Sequence, residues 1–222
     1  SMYRNITKYN TKIAACGYCY QYENGIKKEI NFQNISNLYI GDEAQKFLNI
    51  IGYYNVSSCN KLFDITLFNN LRFPYGKKSE DWFIMYKLIE RSNAIYYDSN
   101  TKYIYRQRLG SITKNSNANI DAIDAAKEVF KHFKDNDVVA KYAAQSLVFS
   151  IIGVYNYELC KESKKTKLKE YRKEEKKYYR YATYSFLSKR RKAQLFLFNY
   201  LIVIYNLVFL LYNKKRELIK KL

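Results

Sequence analysis

The sequence predicts a mixed α/β fold over residues 1–117, followed by an all-helical region over residues 118–222. Three observations support this division. Residues 13–22 have the composition of a largely buried strand, apolar residues after Ser79 recur at helical spacing, and strand patterns stop near residue 117. Hydrophobic residues make up 48% of the 222 residues, which is enough to build a folded core.

Strands and a helix are predicted early in the chain. Glu23-Asn24-Gly25 is a turn sequence that follows the first strand, so residues 26–32 can return as a second strand. Asp42 is a plausible N-cap of a helix that ends near Gly52, because apolar residues follow it at helical spacing.

The next part of the chain combines short elements with one well-marked helix. Residues 56–78 predict one short helix and a turn at Phe73-Pro74-Tyr75-Gly76, and the well-marked helix begins at Ser79. Two short strands follow, at residues 95–97 and 102–106, with a turn between them at residues 98–100. A polar loop comes next, at residues 111–119.

Beyond residue 117 every predicted element is a helix. The apolar spacing of residues 120–133 and 138–157 is helical, and residues 161–181 form a highly charged helix. Residues 193–212 carry no charge and lie between two basic clusters, at residues 189–192 and 214–216.

Positive charge is concentrated in the C-terminal part of the chain. The formal net charge is +19, and residues 161–222 hold 19 Lys and Arg against 5 Glu. Such segregation indicates an acidic partner for this region, either nucleic acid or an anionic membrane surface.

The cysteines give a weak metal signal. Cys16 and Cys19 have zinc-like spacing, but no second pair accompanies them and the one histidine, His132, is distant in sequence. The sequence therefore favours reduced, mostly buried thiols in a cytosolic protein, with His132 structural or solvated.

Five motifs in the first part of the chain carry a family resemblance over roughly residues 3–115. A strand around Cys16 is followed by the ordered motifs, and together they resemble the second half of the catalytic domain of bacterial family 2 glycosyltransferases. The motifs are Asn60-Lys61-Leu62-Phe63, Leu71-Arg72-Phe73-Pro74-Tyr75-Gly76, Glu80-Asp81, Tyr103-Ile104-Tyr105-Arg106-Gln107-Arg108 and Ser111-Ile112-Thr113.

The resemblance implies a GT-A fold, in which a first half carries the nucleotide-binding strands and an Asp-x-Asp motif for a divalent metal. No Asp-x-Asp precedes the matched motifs here. We therefore expect the C-terminal portion of such an enzyme, inactive by itself and holding no metal or other cofactor. Mg²⁺ or Mn²⁺ and a nucleotide-sugar are expected in the full-length enzyme, whose acceptor is a saccharide or a lipid-linked sugar.

The resemblance places catalysis at the Glu80-Asp81 pair. Inverting sugar transfer needs a carboxylate that removes the proton of the acceptor hydroxyl, and the family assigns that role to the position of Asp81. Glu80 then supports the base or orients the acceptor. The simpler interpretation is a preference for acidic residues in the first turn of any helix, where the dipole stabilises them.

Five further residues are candidates for substrate binding. Asn60 and Lys61 line the acceptor side, where Lys61 pairs with a phosphate or with Asp81, or else forms an ordinary ion pair. Trp82 is a sugar-stacking wall or a core residue. Arg106 and Arg108 share a strand face and approach the donor diphosphate, or are simply solvated.

The uncharged run at residues 193–212 allows three arrangements. It can lie in the membrane interface, pack in a helical bundle or a dimer, or span a bilayer. With its basic flanks, the run favours a cytoplasmic protein held peripherally at the inner face of the cell membrane.

Three classes of function remain open on the sequence. The first is the glycosyltransferase portion, the second a nucleic-acid-binding module and the third a membrane-docked interaction fragment without activity. The sequence contains no recognisable nucleic-acid motif, so no nucleic-acid partner is expected. An unpaired sheet edge makes a homodimer possible.

Overall fold

The structure is a computed structural model that describes residues 1–30, 35–50, 53–108 and 118–221, with side chains described as far as residue 215. It combines a mixed sheet with helices, which confirms the α/β character. Its elements are α1 (Met2–Tyr9), β1 (Ile13–Gln21), β2 (Lys27–Ile30), β3 (Asn37–Ile40), α2 (Gly41–Leu48), β4 (Lys61–Phe63), a 3-10 helix (Ile65–Phe68), α3 (Glu80–Ser92), β5 (Ala94–Arg106), α4 (Ile120–His132), α5 (Ala140–Cys160), α6 (Lys165–Tyr179), α7 (Lys189–Tyr200) and α8 (Ile202–Lys221).

Strands β1 and β5 pair in parallel at the centre of the sheet. On its other edge, β1 pairs antiparallel with β4 along its first residues and with β2 along its last. Strand β3 pairs antiparallel with the beginning of β5. The first four residues of β1, from Ile13 to Cys16, are completely buried because the sheet and helices enclose them on every side.

Residues 94–106 form one strand, where the sequence predicted two short ones. The register changes from Cys16 opposite Asp98 to Gly17 opposite Thr101, so β5 carries two extra residues at this point. The Asp98 carboxylate accepts a hydrogen bond of 3.0 Å from the Asn100 backbone N–H and pairs with Lys102. The turn-forming residues therefore make a bulge within the strand rather than a break.

Three short elements were missed by the sequence analysis, namely α1, β3 and β4. Helix α1 packs against the sheet, where Tyr9 stacks on Tyr96 with ring centroids 4.0 Å apart. Strand β3 has only four residues, which is too few for a clear alternating pattern. Residues 31–32 of the predicted second strand, Gly52, and residues 111–117 of the predicted polar loop lie outside the described residues.

The apolar core continues across the change in composition near residue 117. Met85 and Leu88 of α3 are fully buried beneath the sheet. Val129 and Phe133 from the α4 segment and Tyr142 of α5 belong to the same cluster. The helical region therefore packs directly onto the helix that begins with Glu80 and Asp81.

The uncharged run at residues 193–212, expected as one segment, is divided between α7 and α8 at Leu201. Phe198 of α7 and Tyr205 of α8 are buried, and the Phe198 ring lies 4.9 Å from that of Tyr155 in α5. Part of this run therefore packs in a helical bundle. No helix in the described part of the chain has both the length and the apolar character needed to cross a membrane.

A glycine is required where β1 meets the bulge. A Cβ atom on Gly17 would lie 2.5 Å from the Ser99 carbonyl oxygen, whereas a Cβ on Gly153 in α5 would meet nothing within 4 Å. We expect Gly17→Ala to lower the free energy of unfolding by about 2 kcal/mol through overpacking. The control Gly153→Ala should raise it by roughly 0.5–1 kcal/mol, because alanine is the better helix former. Urea denaturation measures both, and an unchanged Gly17→Ala would contradict the packing.

A buried carboxyl group joins α6 to α7. Glu175 is fully buried, and its Oε1 accepts a hydrogen bond of 3.2 Å from Asn199 Nδ2. Its Oε2 has no hydrogen-bond partner among the described residues. Burial raises the pKa of Glu175 to about 7, so the folded chain favours the neutral acid.

This burial makes the stability of the bundle depend on pH. Because the pKa is higher in the folded state, the contribution of Glu175 is fully present below the unfolded pKa and is lost as pH rises towards 7. The loss is about 1.4 kcal/mol per pH unit between the two pKa values. We expect Glu175→Gln to be more stable than the wild type at pH 8, with the difference shrinking at acidic pH. Urea titrations across this range test it, with the exposed Glu170→Gln as control.

Candidate active site

The two candidate catalytic acids lie in the first turn of α3. Glu80 is exposed and Asp81 is half-buried. Ser79, the residue before them, has φ 57°, a left-handed conformation that costs a non-glycine residue on the order of 1 kcal/mol. Asn119 Nδ2 donates a hydrogen bond of 2.7 Å to Ser79 Oγ, so the start of α4 holds this turn in place.

Lys61 is enclosed by oxygen atoms of its own loop. Its side chain is buried, and Nζ donates to the carbonyl oxygens of Asn55 and Ser57 at 2.6 and 2.5 Å and to Asn60 Oδ1 at 3.2 Å. An ammonium group has three hydrogens to donate, and these three acceptors use them all. Lys61 therefore stabilises the conformation of residues 55–61. To bind a phosphate, it would have to break one of these three hydrogen bonds.

Asn60 fastens the same loop to the central strand. Its Nδ2 donates to the Cys16 carbonyl oxygen at 2.6 Å, and its own carbonyl accepts from the Cys16 backbone N–H at 3.0 Å. The side chain is buried. The structure thus accounts for Asn60 by its bonds to β1, and its predicted contact with a substrate stays a prediction.

The structure brings Asp81 into electrostatic range of Lys61. Burial lowers the pKa of Lys61 to about 7, and the negative charge of Asp81 is the strongest influence that opposes this shift. Lys61 is the first residue of β4 and Asp81 is the second residue of α3, so a strand and a helix position the two charges. The charge of Asp81 acts on Lys61 through space, and the ion pair predicted between them stays a prediction.

A group of tyrosines that the sequence analysis did not select lies beside this loop. Tyr18 Oη accepts a hydrogen bond of 3.3 Å from Asn55 Nδ2, and burial raises the pKa of Tyr18. Tyr20 makes edge contacts with Tyr18 and Tyr105, at ring-centroid distances of 5.7 and 5.8 Å. The available signal was the spacing of two in Tyr18-x-Tyr20 and Tyr103-x-Tyr105, which places each pair on one face of its strand.

The remaining predicted substrate-binding residues lie in different surroundings. Trp82 is half-buried and packs against the core beneath the sheet and against apolar residues of α4 and α5. Arg106 is the last residue of β5 and pairs with Gln21 of β1, whereas Lys61 pairs with Ala15 of the same strand. Gln21 lies six residues after Ala15. At about 3.3 Å per residue, Arg106 is roughly 20 Å along the sheet from Lys61. Arg108 is exposed beyond the end of the strand.

A metal site is not formed by the described residues. No group of three or more His, Cys, Asp or Glu side chains among them can hold an ion. The sequence does contain Asp135-Asn136-Asp137, an Asp-x-Asp that follows the matched motifs. Its asparagine accepts from the Val138 and Val139 N–H groups before α5, and the Asp135 carboxylate is 89% exposed. This stretch serves as a helix-entry turn.

Comparison with known proteins supports a glycosyltransferase relationship. No family model matches the chain. A stretch of 86 residues is 34% identical to glycosyltransferase GlyA of Streptococcus pneumoniae serotype 4 (strain ATCC BAA-334 / TIGR4). The match covers 37% of this chain and 12% of that protein, so the chain corresponds to a small part of its relative.

The environment of Lys61 leads to a pH-dependent stability. Because its pKa is about 7 when folded and about 10.4 in an unfolded chain, the unfolded state binds more protons between these values, and stability rises with pH. We expect the wild type to gain up to about 1.4 kcal/mol per pH unit relative to Lys61→Met between pH 7 and 9.

Urea titrations of both proteins measure this difference, and comparing slopes removes any constant cost of the substitution. Lys28→Met, on the exposed strand β2, controls for the removal of a lysine. Identical slopes for wild type and Lys61→Met would show that Lys61 is not desolvated.

Proposed function

We propose that this chain is the acceptor-side portion of an inverting family 2 glycosyltransferase of the GT-A type, which transfers a sugar from a nucleotide-sugar to a saccharide or lipid-linked acceptor in cell-surface polysaccharide synthesis. The observation that carries the proposal is the position of Asp81. It is half-buried at the start of α3 and within electrostatic range of the buried Lys61. The match to a glycosyltransferase supports the reaction class.

Asp81 acts as the general base in this proposal. It takes the proton of the acceptor hydroxyl as the oxygen attacks the anomeric carbon and the nucleoside diphosphate leaves from the opposite face. The first turn of α3 places the Asp81 carboxylate at the positive end of the helix dipole and within electrostatic range of Lys61. Glu80, exposed one residue earlier, is proposed to contact the acceptor.

Lys61 is proposed as a positioning residue. Its three hydrogen bonds hold residues 55–61 against β1, and the same loop presents Asn55 to Tyr18. Aromatic side chains with polar tips are suited to saccharides, because the ring covers the apolar face of a sugar while the hydroxyl forms hydrogen bonds. We therefore assign the acceptor to the side of the sheet where Tyr18 and Asn55 meet.

The donor is proposed to be held mainly outside the described residues. They contain no cluster of metal ligands, so the Mg²⁺ or Mn²⁺ and the nucleotide expected for such an enzyme are assigned to other parts of the full-length protein. The proton transfer proposed for Asp81 does not involve the metal. Arg106 and Arg108 remain proposed contacts to the donor diphosphate, and Trp82 a proposed contact to a sugar.

Replacement of the base tests the reaction directly. In the protein encoded by the complete gene, we expect Asp81→Asn to lower kcat by about 10²–10⁴-fold, because a positioned base contributes that much. The donor KM should stay nearly unchanged. Transfer of radiolabelled sugar from a panel of nucleotide-sugars to saccharide and lipid-linked acceptors measures both quantities.

The exposed Asp124→Asn, in α4, is the matched control and should retain wild-type turnover. A thermal denaturation curve establishes that Asp81→Asn is folded. Turnover retained by a folded Asp81→Asn would remove Asp81 from the base role.

A further inference from the structure

An extended apolar surface remains uncovered on α7 and α8. Monomeric soluble proteins rarely leave large contiguous apolar patches exposed, and those that do commonly use them for binding. Exposed apolar residues continue along α7 and α8 from Phe196 to Tyr212, and we call the group around the junction of the two helices the apolar end. It consists of Phe196 (54% exposed), Tyr200 (66%), Leu201 (42%), Val203 (79%), Ile204 (48%) and Leu207 (60%).

Helices α7 and α8 fold back on one another at Leu201. Gln194 Nε2 in α7 donates a hydrogen bond of 3.2 Å to Tyr205 Oη in α8. Further from the junction, the Arg190 guanidinium lies over the Tyr212 ring, 5.1 Å from its centroid. Because Arg190 precedes Gln194 in α7 while Tyr212 follows Tyr205 in α8, these contacts show that the two helices run antiparallel.

The same fold-back gathers positive charge at the opposite end of the hairpin. Lys189 and Lys192 are exposed at the start of α7, and Lys214 and Lys215 are exposed near the end of α8. Because Arg190 contacts Tyr212, the two basic clusters, which flank the uncharged run in sequence, lie at one end in space. We call these residues the basic end.

The spacing of the two ends matches one leaflet of a bilayer. Eleven residues separate Lys189 from Tyr200, and eleven separate Val203 from Lys214, which is about 16 Å of helix in each case. Half of the hydrocarbon thickness of a bilayer is about 15 Å. An apolar end inserted among acyl chains would leave the basic end at the level of the lipid phosphates.

We propose that the α7–α8 hairpin is a monotopic membrane anchor, whose apolar end enters one leaflet of an anionic bilayer while its basic end binds the phosphate groups. The charge favours lipid over a second copy of the chain, because residues 161–222 carry a net charge of +14 and two such surfaces repel each other. The anchor stands independently of the transfer reaction, and it would hold the protein where lipid-linked acceptors are found.

Vesicle co-sedimentation of the purified chain tests the anchor. The chain should bind vesicles that contain phosphatidylglycerol, bind pure phosphatidylcholine more weakly, and lose part of its affinity as salt is added. Val203→Glu with Leu207→Glu should lower the partition coefficient at least about 100-fold, because carboxylates are costly in the hydrocarbon. Lys214→Gln with Lys215→Gln should lower it about 30-fold on anionic vesicles.

Matched variants separate these effects from general changes. Ile65→Glu with Tyr75→Glu removes two exposed apolar residues elsewhere, and Lys27→Gln with Lys28→Gln removes two exposed lysines. Both controls should bind as the wild type does, and circular dichroism verifies the folding of every variant.

Three results would overturn the anchor. The first is a wild type that fails to bind anionic vesicles but forms a dimer that Val203→Glu with Leu207→Glu dissociates, which would assign the apolar end to a second copy. The second is binding to duplex DNA without binding to vesicles. The third is equal vesicle binding by the apolar-end variant and its control.

Discussion

The parallel pairing of β1 with β5 is the contact on which the rest of the structure depends. Three strands and two helices separate these strands in the chain, and β2, β3 and β4 each pair with one of them. The pairing passes an irregularity at Gly17, where the backbone of Ser99 and Asn100 approaches so closely that a side chain has no room. Pairing strands this far apart in the chain carries a loop-closure entropy cost, which the burial of the intervening chain, including α3, helps to offset.

The candidate site follows from that arrangement. Strand β4 pairs with the beginning of β1, which brings Lys61 beneath the sheet, and α3 leads directly into β5, which sets the position of its first turn. Lys61 donates its hydrogen bonds to the backbone carbonyls of Asn55 and Ser57 and to Asn60 Oδ1, so its interaction with Asp81 is electrostatic. Strand β4 carries Lys61 and helix α3 carries Asp81, so both residues belong to regular elements.

The helical region buries one of its surfaces and leaves another exposed. Towards α5 and α6 it buries Phe198, Tyr205 and the carboxyl group of Glu175, which favours the neutral acid. Away from them it leaves the apolar end of the α7–α8 hairpin exposed. Membrane contact at that end and sugar transfer at Asp81 are separate proposals, but together they describe an enzyme that works on acceptors held at a lipid surface.

The amino-acid sequence by itself determined the α/β character, the long helices and the acidic helix start at Glu80-Asp81, because each rests on local periodicity or on capping preferences. It also indicated a glycosyltransferase relationship through the order of its motifs. Only the tertiary structure decided that residues 94–106 are one bulged strand, that Lys61 is enclosed by carbonyl groups, and that residues 193–212 bend at Leu201. These features depend on contacts between residues distant in the chain, where pairing and burial override the local preferences of turn-forming or apolar residues.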